Sequence, residues 1–221
     1  MPVIERQYAG KEPDYFSHAR VDVFGLIPAR VERVLELGCG EGATLARLKA
    51  EGRCSWAAGV ELFPDAAKRA AERLDVVWTG DLEQMVLPVP DASLDLVLCL
   101  DVLEHLVDPW AVVRRLAALL RPGGALVASI PNVRHWRVWW PLLTRGRWTY
   151  TDSGLLDRTH LRFFTRSTAV ALFEQAGLRV EAVTAHPPAV LSRRWIADRL
   201  TLGLARDLLD TQLLIRAIRP H

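Results

Sequence analysis

The sequence predicts one α/β domain: a doubly wound sheet of seven strands, mostly parallel with one antiparallel strand, covered by helices on both faces. Short apolar runs rich in β-branched residues alternate with amphipathic helical stretches, the pattern of parallel strands joined by crossover helices. After five such units, two more strand-like runs flank a last helical stretch, which adds a closing strand pair. The 221 residues, 50% hydrophobic and 24% charged, fill one core and scarcely two, and exclude wholesale disorder.

Taken in order, strands are expected at 33–38 (RVLELG), 56–61 (WAAGVE), 75–80 (DVVWTG), 94–100 (LDLVLCL) and 124–130 (GALVASI). Helices fill 42–51, 64–74 and 109–120 between them. A helix at 167–176 opens on Ser167 as its cap and stops at Gly177. Strands at 178–185 (LRVEAVTA) and 211–218 (TQLLIRAI), with a helix at 190–209 between them, complete the sheet. No repeat or low-complexity segment interrupts residues 1–221, read as a single domain. The segment 131–166 fits least well. Connections of that length inside a compact domain are usually functional, so it is expected to be an aromatic lid over an acceptor.

Charge and cysteines bound the setting. Lys+Arg 28 against Asp+Glu 26 leaves a net charge of +2, so no whole-molecule field points to nucleic acid. Cys39, Cys54 and Cys99 lack metal-type spacing and lie in apolar runs, as buried free thiols of a reducing compartment do. The opening MPVIERQYAG has no signal-peptide core, and no apolar run approaches the ~20 residues of a membrane span. A cytoplasmic location is expected.

The strongest local signal is VLELGCGEGATLARL at 34–48: a buried strand, a glycine turn, then a helix. That order aims backbone amides at a ligand beyond the strand's carboxyl end. Gly38, Gly40 and Gly42 remove side chains where the ligand approaches. The spacing alone is ambiguous, because Gly38, Gly40 and Ala43 also satisfy the dinucleotide fingerprint. Glu61, at the end of the second strand, suits ribose hydroxyls in either reading. Glu36 separates the two. Its carboxylate would repel a pyrophosphate and attract the ammonium and sulfonium of S-adenosylmethionine. Asp81 closes the third strand, where it can accept from an adenine amino group, and DVLEHL follows the fourth.

The series ELGCGEG, GVELFPDAAKRA, GDLE, LDLVLCLDVLEHLVDPW and LRPGG resembles the class I S-adenosylmethionine-dependent methyltransferases, over about residues 31–131. SIPNVRHW and GRWTYTDSGLLDRTHLRFFTRST resemble a bacterial subgroup often encoded beside or fused to glycosyltransferases. The resemblance implies a Rossmann-like sheet and S-adenosylmethionine as cofactor. It implies that Gly38, Gly40 and Gly42 line the methionine part, beside Glu36 and Asp101. Glu61, with Leu62, would hold the ribose, and Asp81 with Leu82 would flank the adenine.

Methyl transfer to a hydroxyl needs alignment, exclusion of water and removal of a proton. Asp101, Glu104 and His105 in DVLEH are candidates; were the segment helical, Asp101 would share a face with Glu104 or His105. His160 in LDRTHLRFFT is the distal candidate. In one reading His105, His160 or Asp101 is catalytic, a histidine serving as the base. In another, Asp101, Glu104, His105 and His160 hold a divalent ion such as Mg. That set resembles the E-x-x-E-H motif of ubiquinone-pathway O-methyltransferases and small-RNA 2′-O-methyltransferases, with Asp101 in place of the first Glu. In a third, Glu104 and His105 only cap a helix.

Between Asp108 and Asp152 there is no acidic residue, yet there are seven arginines, interleaved later by Trp136, Trp139, Trp140 and Trp148. Three readings stand: a packing cap, a lid whose tryptophans stack on a sugar while arginines pair with phosphate or carboxylate, and peripheral membrane docking through WRVWWPLL. Arg20, downstream of Tyr8, Tyr15 and Phe16, is a candidate for the methionine carboxylate. The resulting expectation is methyl transfer to an oxygen of a small-molecule or sugar-type acceptor, with oligomer contact through the 188–210 stretch left open. Nucleic acid is disfavoured, since DVLEH stands where a base-methylating N/D-P-P-Y/F motif would. The alternatives are an NAD-type oxidoreductase and a non-catalytic S-adenosylmethionine-binding regulatory protein.

Overall fold

The structure, a computed structural model, describes residues 17–185 and 206–221. The expectations for Tyr8, Tyr15 and Phe16, and for most of the 190–209 helix, fall outside those residues. The strands are β1 (Val31–Leu37), β2 (Cys54–Glu61), β3 (Val76–Thr79), β4 (Leu94–Leu100), β5 (Leu120–Pro131), β6 (Arg179–Thr184) and β7 (Gln212–Ile218). They form one sheet in the order β3-β2-β1-β4-β5-β7-β6. β7 alone is antiparallel to its neighbours, lying between β5 and β6. The expected seven-stranded, mostly parallel sheet is what the chain forms.

The helices are α1 (Ala43–Ala50), α2 (Pro64–Ala70), α3 (Pro109–Leu119), α4 (Trp136–Arg145), α5 (Arg166–Glu174) and the short α6 (Arg206–Leu209). Every residue of β4 is buried, as befits a parallel strand with helices on both faces. Alternate residues feed two cores. Leu35, Val97 and Leu126 pack with Val113 and Leu116 of α3 and Phe173 of α5. Val34, Leu96 and Val127 pack with Leu45 and Leu48 of α1. Cys39, Cys54 and Cys99 are free and buried, as expected.

Several boundaries moved, the helix expected at 64–74 ending already at Ala70, and two of the shifts have clear local reasons. Leu94 pairs with Leu120 before Leu96 pairs with Ala125, so β5 begins earlier than expected, with a bulge in its RPGG run. The cap of α5 is Thr165 rather than Ser167. Thr165 accepts from the Thr168 amide, and Thr168 reciprocates at the Thr165 amide, a capping box.

Chain reversal between β1 and β4 puts a crevice at the carboxyl ends of the central strands, where ligands of open α/β sheets bind. Gly59 keeps the wall behind it thin. A Cβ there would lie 2.4 Å from Cys39 Sγ, in the glycine turn, and 3.2 Å from Leu74 Cδ1. Gly59→Ala is therefore expected to destabilise the fold by about 1–3 kcal/mol through overpacking. Urea denaturation checks this; a loss under about 0.5 kcal/mol would mean that the turn simply moves aside.

Candidate active site

A cavity of about 1170 Å³ opens at the carboxyl edge of the sheet. It exceeds the roughly 300–1,000 Å³ typical of one small ligand, so it has room for two reactants. At its floor, β1 runs into Gly38 (φ +62°) and Gly40 (φ +54°), left-handed positions that disfavour side chains. A Cβ on Gly38 would also lie 2.6 Å from Val102 Cγ2. Gly38 and Gly40 line the cavity. Gly42 does not. It is the left-handed N-cap of α1 (φ +75°), packed toward Leu74, so its place is in the turn.

Two buried carboxylates face this floor. Glu61 accepts from the Gly40 amide (2.8 Å) and the Phe63 amide (3.0 Å), which ties the end of β2 to the glycine turn. Burial pushes its carboxyl above the ordinary range, against those amides. Glu36 is buried too, and its Oε2 has no hydrogen-bond partner among the described residues. Burial raises its pKa to about 8, against the Thr44 hydrogen bond and the charge of Arg20. A buried acid without a fixed cation is a costly arrangement. It becomes favourable when a cationic ligand enters. Leu62, Asp81 and Leu82 also line the cavity. Asp81 accepts from the Glu83 amide (2.9 Å) and Gln84 Nε2 (2.9 Å), each oxygen keeping a second lone pair.

Asp101, at the end of β4, adopts a left-handed φ of +57°, unusual for a residue with a side chain. Its carboxylate accepts from Ser129 Oγ (3.1 Å), Gln212 Nε2 and the Arg20 guanidinium. Arg20 is held as well by Asp22 (2.9 Å) and Ser129 Oγ (3.0 Å), and both Arg20 and Asp101 line the cavity. Ser129 and Gln212 escaped the sequence reading. Each sits in an ordinary apolar strand run, and only the pairing of β5 with β7 brings Ser129 opposite Leu214, near Gln212.

DVLEH is not an α-helix. A 3-10 turn, Leu103–His105, leaves Asp101 outside it, so the expected sharing of one helix face does not form. The turn instead brings Glu104 and His105 to His160 from the distant DRTH segment. Their ligand atoms lie within 4.8 Å of one another, and Asp101 is not in that group. The Glu104 carbonyl accepts from the Leu161 (2.8 Å) and Arg162 (2.9 Å) amides, which fixes the two segments together. His105 Nδ1 donates to the Thr159 carbonyl (3.1 Å) and His160 Nδ1 to the Leu155 carbonyl (3.3 Å). A carbonyl can only accept, so in each neutral ring Nε2 carries the lone pair. Glu104 is buried, with no hydrogen-bond partner for either side-chain oxygen among the described residues. Burial, reinforced by the charge of Asp101, pushes its carboxyl well above the ordinary range.

The 131–166 segment walls the far end of the cavity, through Arg137, Val138, Pro141, Arg147 and Thr149 among others. The expected tryptophan lid is not what it forms. None of its four tryptophans lines the cavity. Trp136, Trp140 and Leu143 recur at i, i+4 and i+7 on an exposed stripe of α4, and Trp148 packs edge-on against Phe163 at 5.1 Å. Among the described residues, no helix is long and apolar enough to cross a membrane.

Residues 8–183 match the family described as a methyltransferase domain. Over 109 residues the chain is 37% identical to a 27-O-demethylrifamycin SV methyltransferase of Amycolatopsis mediterranei, spanning 46% of this chain and 40% of that protein. Over 120 residues it is 37% identical to a ubiquinone biosynthesis O-methyltransferase of Xanthomonas axonopodis pv. citri, spanning 48% and 47%. The chain thus spans less than half the length of these two curated relatives. A solved S-adenosylmethionine-dependent methyltransferase of Archaeoglobus fulgidus superposes with a TM-score of 0.66 at 20% identity, over 90% of this chain and 91% of that one. At that identity the likeness is one of fold.

Proposed function

The chain belongs to the methyltransferase-domain family, as a class I S-adenosylmethionine-dependent member, and on that premise we propose that it methylates an oxygen of a small-molecule or sugar-type acceptor. The observation that carries the reading is the pair of buried acids, Glu36 and Glu61, on a cavity floor whose glycine turn leaves room for a ligand. That donor set suits a molecule with cationic groups at one end and ribose hydroxyls beside them. Glu61 and Leu62 hold the ribose, Asp81 and Leu82 flank the adenine, and Glu36 faces the charged methionine end. Arg20, positioned by Asp101, takes the methionine carboxylate.

When bound, the cofactor would supply an electrophilic sulfonium methyl, to whose carbon an acceptor oxygen lone pair bonds while the carbon–sulfur bonding pair leaves on sulfur. The chain's own work lies at the acceptor. His160, or His105 beside it, takes the acceptor's hydroxyl proton on Nε2 as the oxygen–carbon bond forms. The Thr159 and Leu155 carbonyls orient the two rings, and the buried Glu104, 3.9 Å from His160 Nε2, is near enough for its charge to stabilise the imidazolium that results. Calorimetry with S-adenosylhomocysteine and with NAD tests the donor half: binding of the former alone is expected, and binding of NAD alone overturns it. Turnover in a screen of nucleotide sugars and phenols separates an enzyme from a regulatory binding protein.

The Glu36 carboxyl supplies a second check. Raised to about 8, it is largely protonated at neutral pH, whereas an ammonium-bearing ligand draws the ionised form. Binding then releases a proton, so affinity rises with pH until Glu36 is already ionised. The affinity for S-adenosylhomocysteine should increase roughly tenfold between about pH 6.5 and about pH 8. Glu36→Gln should flatten that rise.

A second reading follows from the orphaned oxygens of Glu104. With His105 and His160 they make a carboxylate and two imidazoles within 4.8 Å, a donor set that fits a divalent ion. Two imidazoles suit Zn, Mn or Fe better than Mg, which prefers oxygen. Glu104, His105 and His160 would hold such an ion, which would polarise the acceptor oxygen, while Asp101 stays with Arg20. Elemental analysis of purified protein decides: no bound ion and full activity in chelator would remove this reading.

A further inference from the structure

We infer that the acceptor carries an anionic group, a phosphate or a carboxylate, which the cavity binds through Arg137 and Arg147. The inference rests on the methyl-transfer reading only for which end of the cavity belongs to the acceptor. Charge is sorted along that cavity. The acids Glu36, Glu61 and Asp81 line the donor end, where Arg20 is paired with Asp101 and Asp22; Glu104 lies with the two histidines, and Arg137 and Arg147 line the wall made by 131–166. Asp157 also reaches that wall, but its Oδ1 accepts from both the Thr159 amide (2.9 Å) and the Thr159 hydroxyl (2.8 Å).

The two arginines differ from four of their neighbours, which are engaged by other residues, and from Arg145, which lies outside the cavity. Arg134 pairs with Asp207 (3.5 Å), Arg158 with Asp152 (3.1 Å), and Arg166 with Asp207 (2.5 Å). Arg162 donates to the Val107 carbonyl (3.1 Å). The guanidinium groups of Arg137 and Arg147 make no ion pair or hydrogen bond with any described residue; Arg137 only approaches the Trp136 ring, at 5.8 Å. No carboxylate exists between Asp108 and Asp152 to engage them.

The backbone presents both to one space. Arg137 lies in the first turn of α4, and Gly146, left-handed at φ +59°, ends that helix by donating to the Leu142 carbonyl. The Arg147 amide then donates to the Pro141 carbonyl (3.2 Å), which folds Arg147 back toward the helix. Val138 and Pro141 form the apolar wall between the two. Thr149 and Ser153 line the same end and add hydroxyl donors, whereas the Thr151 hydroxyl donates to the Ser153 carbonyl (2.8 Å). Guanidinium forks with hydroxyls beside them are the chemistry that binds phosphate and carboxylate. The apolar wall suits the body of the molecule between its anion and its methyl-receiving oxygen.

Calorimetry at low salt tests this, with inorganic pyrophosphate and citrate as probes, on protein with and without S-adenosylhomocysteine. At least one probe should bind at a single site in both states, and which one binds tells phosphate from carboxylate. Arg137→Gln and Arg147→Gln should each weaken that binding by about tenfold or more. Arg145→Gln, on the same helix but outside the cavity, should change it by less than about twofold. Absence of binding by both probes while S-adenosylhomocysteine still binds overturns this inference alone, as does an equal loss in Arg145→Gln. Loss of S-adenosylhomocysteine binding with probe binding intact overturns the methyl-donor reading instead.

Discussion

His160→Ala is expected to lower turnover by about 10²–10⁴, the range that a positioned general base contributes, with S-adenosylhomocysteine affinity changed less than about twofold. The geometry separates the two effects. His160 is buried against Glu104 and His105, with Nε2 3.9 Å from Glu104 Oε1, whereas the proposed donor end is built from Glu36, Glu61 and the glycine turn. Its Nδ1 is committed to the Leu155 carbonyl, so the ring meets the acceptor through Nε2. The measurement is kcat and kcat/KM across pH, with an acceptor taken from the screen, beside calorimetry with S-adenosylhomocysteine. A base contributes a limb to the pH profile, and that limb should vanish with the imidazole. Glu104→Gln, which keeps the shape but removes the carboxylate, should move the limb while retaining more activity than His160→Ala. Turnover within about threefold of the parent in His160→Ala would assign proton removal elsewhere, to His105 first.

Glu61→Ala should weaken S-adenosylhomocysteine binding by about 10²–10⁴, the size of one or two hydrogen bonds to a charged acceptor. Two losses combine in that figure. The proposed ribose contact goes, and the Gly40 and Phe63 amides lose the acceptor that holds the turn in shape. Glu61→Gln keeps one carbonyl oxygen and should fall between the parent and the alanine variant. Calorimetry reads both. An alanine variant that binds within about twofold of the parent would remove Glu61 from the cofactor site.

Much of the fold was legible because it is written in periodicity. The strands β2 and β4 are short apolar runs that end at the expected residues and β1 ends one residue early, at Leu37, with the glycine turn following it as its spacing demands. Glu36 and Glu61 were legible for the same reason, since a residue at the end of a parallel strand has its place fixed by the sheet. The DVLEH segment was read less well. A five-residue stretch can be a turn or a helix start, and the choice was made by the Glu104 carbonyl, which accepts from Leu161 and Arg162 more than fifty residues away. The tryptophans misled in a related way. Composition marked the segment as special, but which face of α4 meets the cavity depends on its packing. That packing buries Val138 and turns Trp136 and Trp140 outward.

The sequence by itself determined the doubly wound sheet, the family and the glycine-turn end of the cavity, because each depends on local order along the chain: strand, glycine turn, helix, acid. Only the tertiary structure decided the far end. It separated Asp101 from Glu104 and His105, delivered His160 to them, tied Asp101 to Arg20, Ser129 and Gln212, and set Arg137 and Arg147 on the cavity wall. Those contacts join residues distant in sequence. Hydrogen-bond satisfaction and packing choose among them, and no spacing rule along one chain encodes that choice.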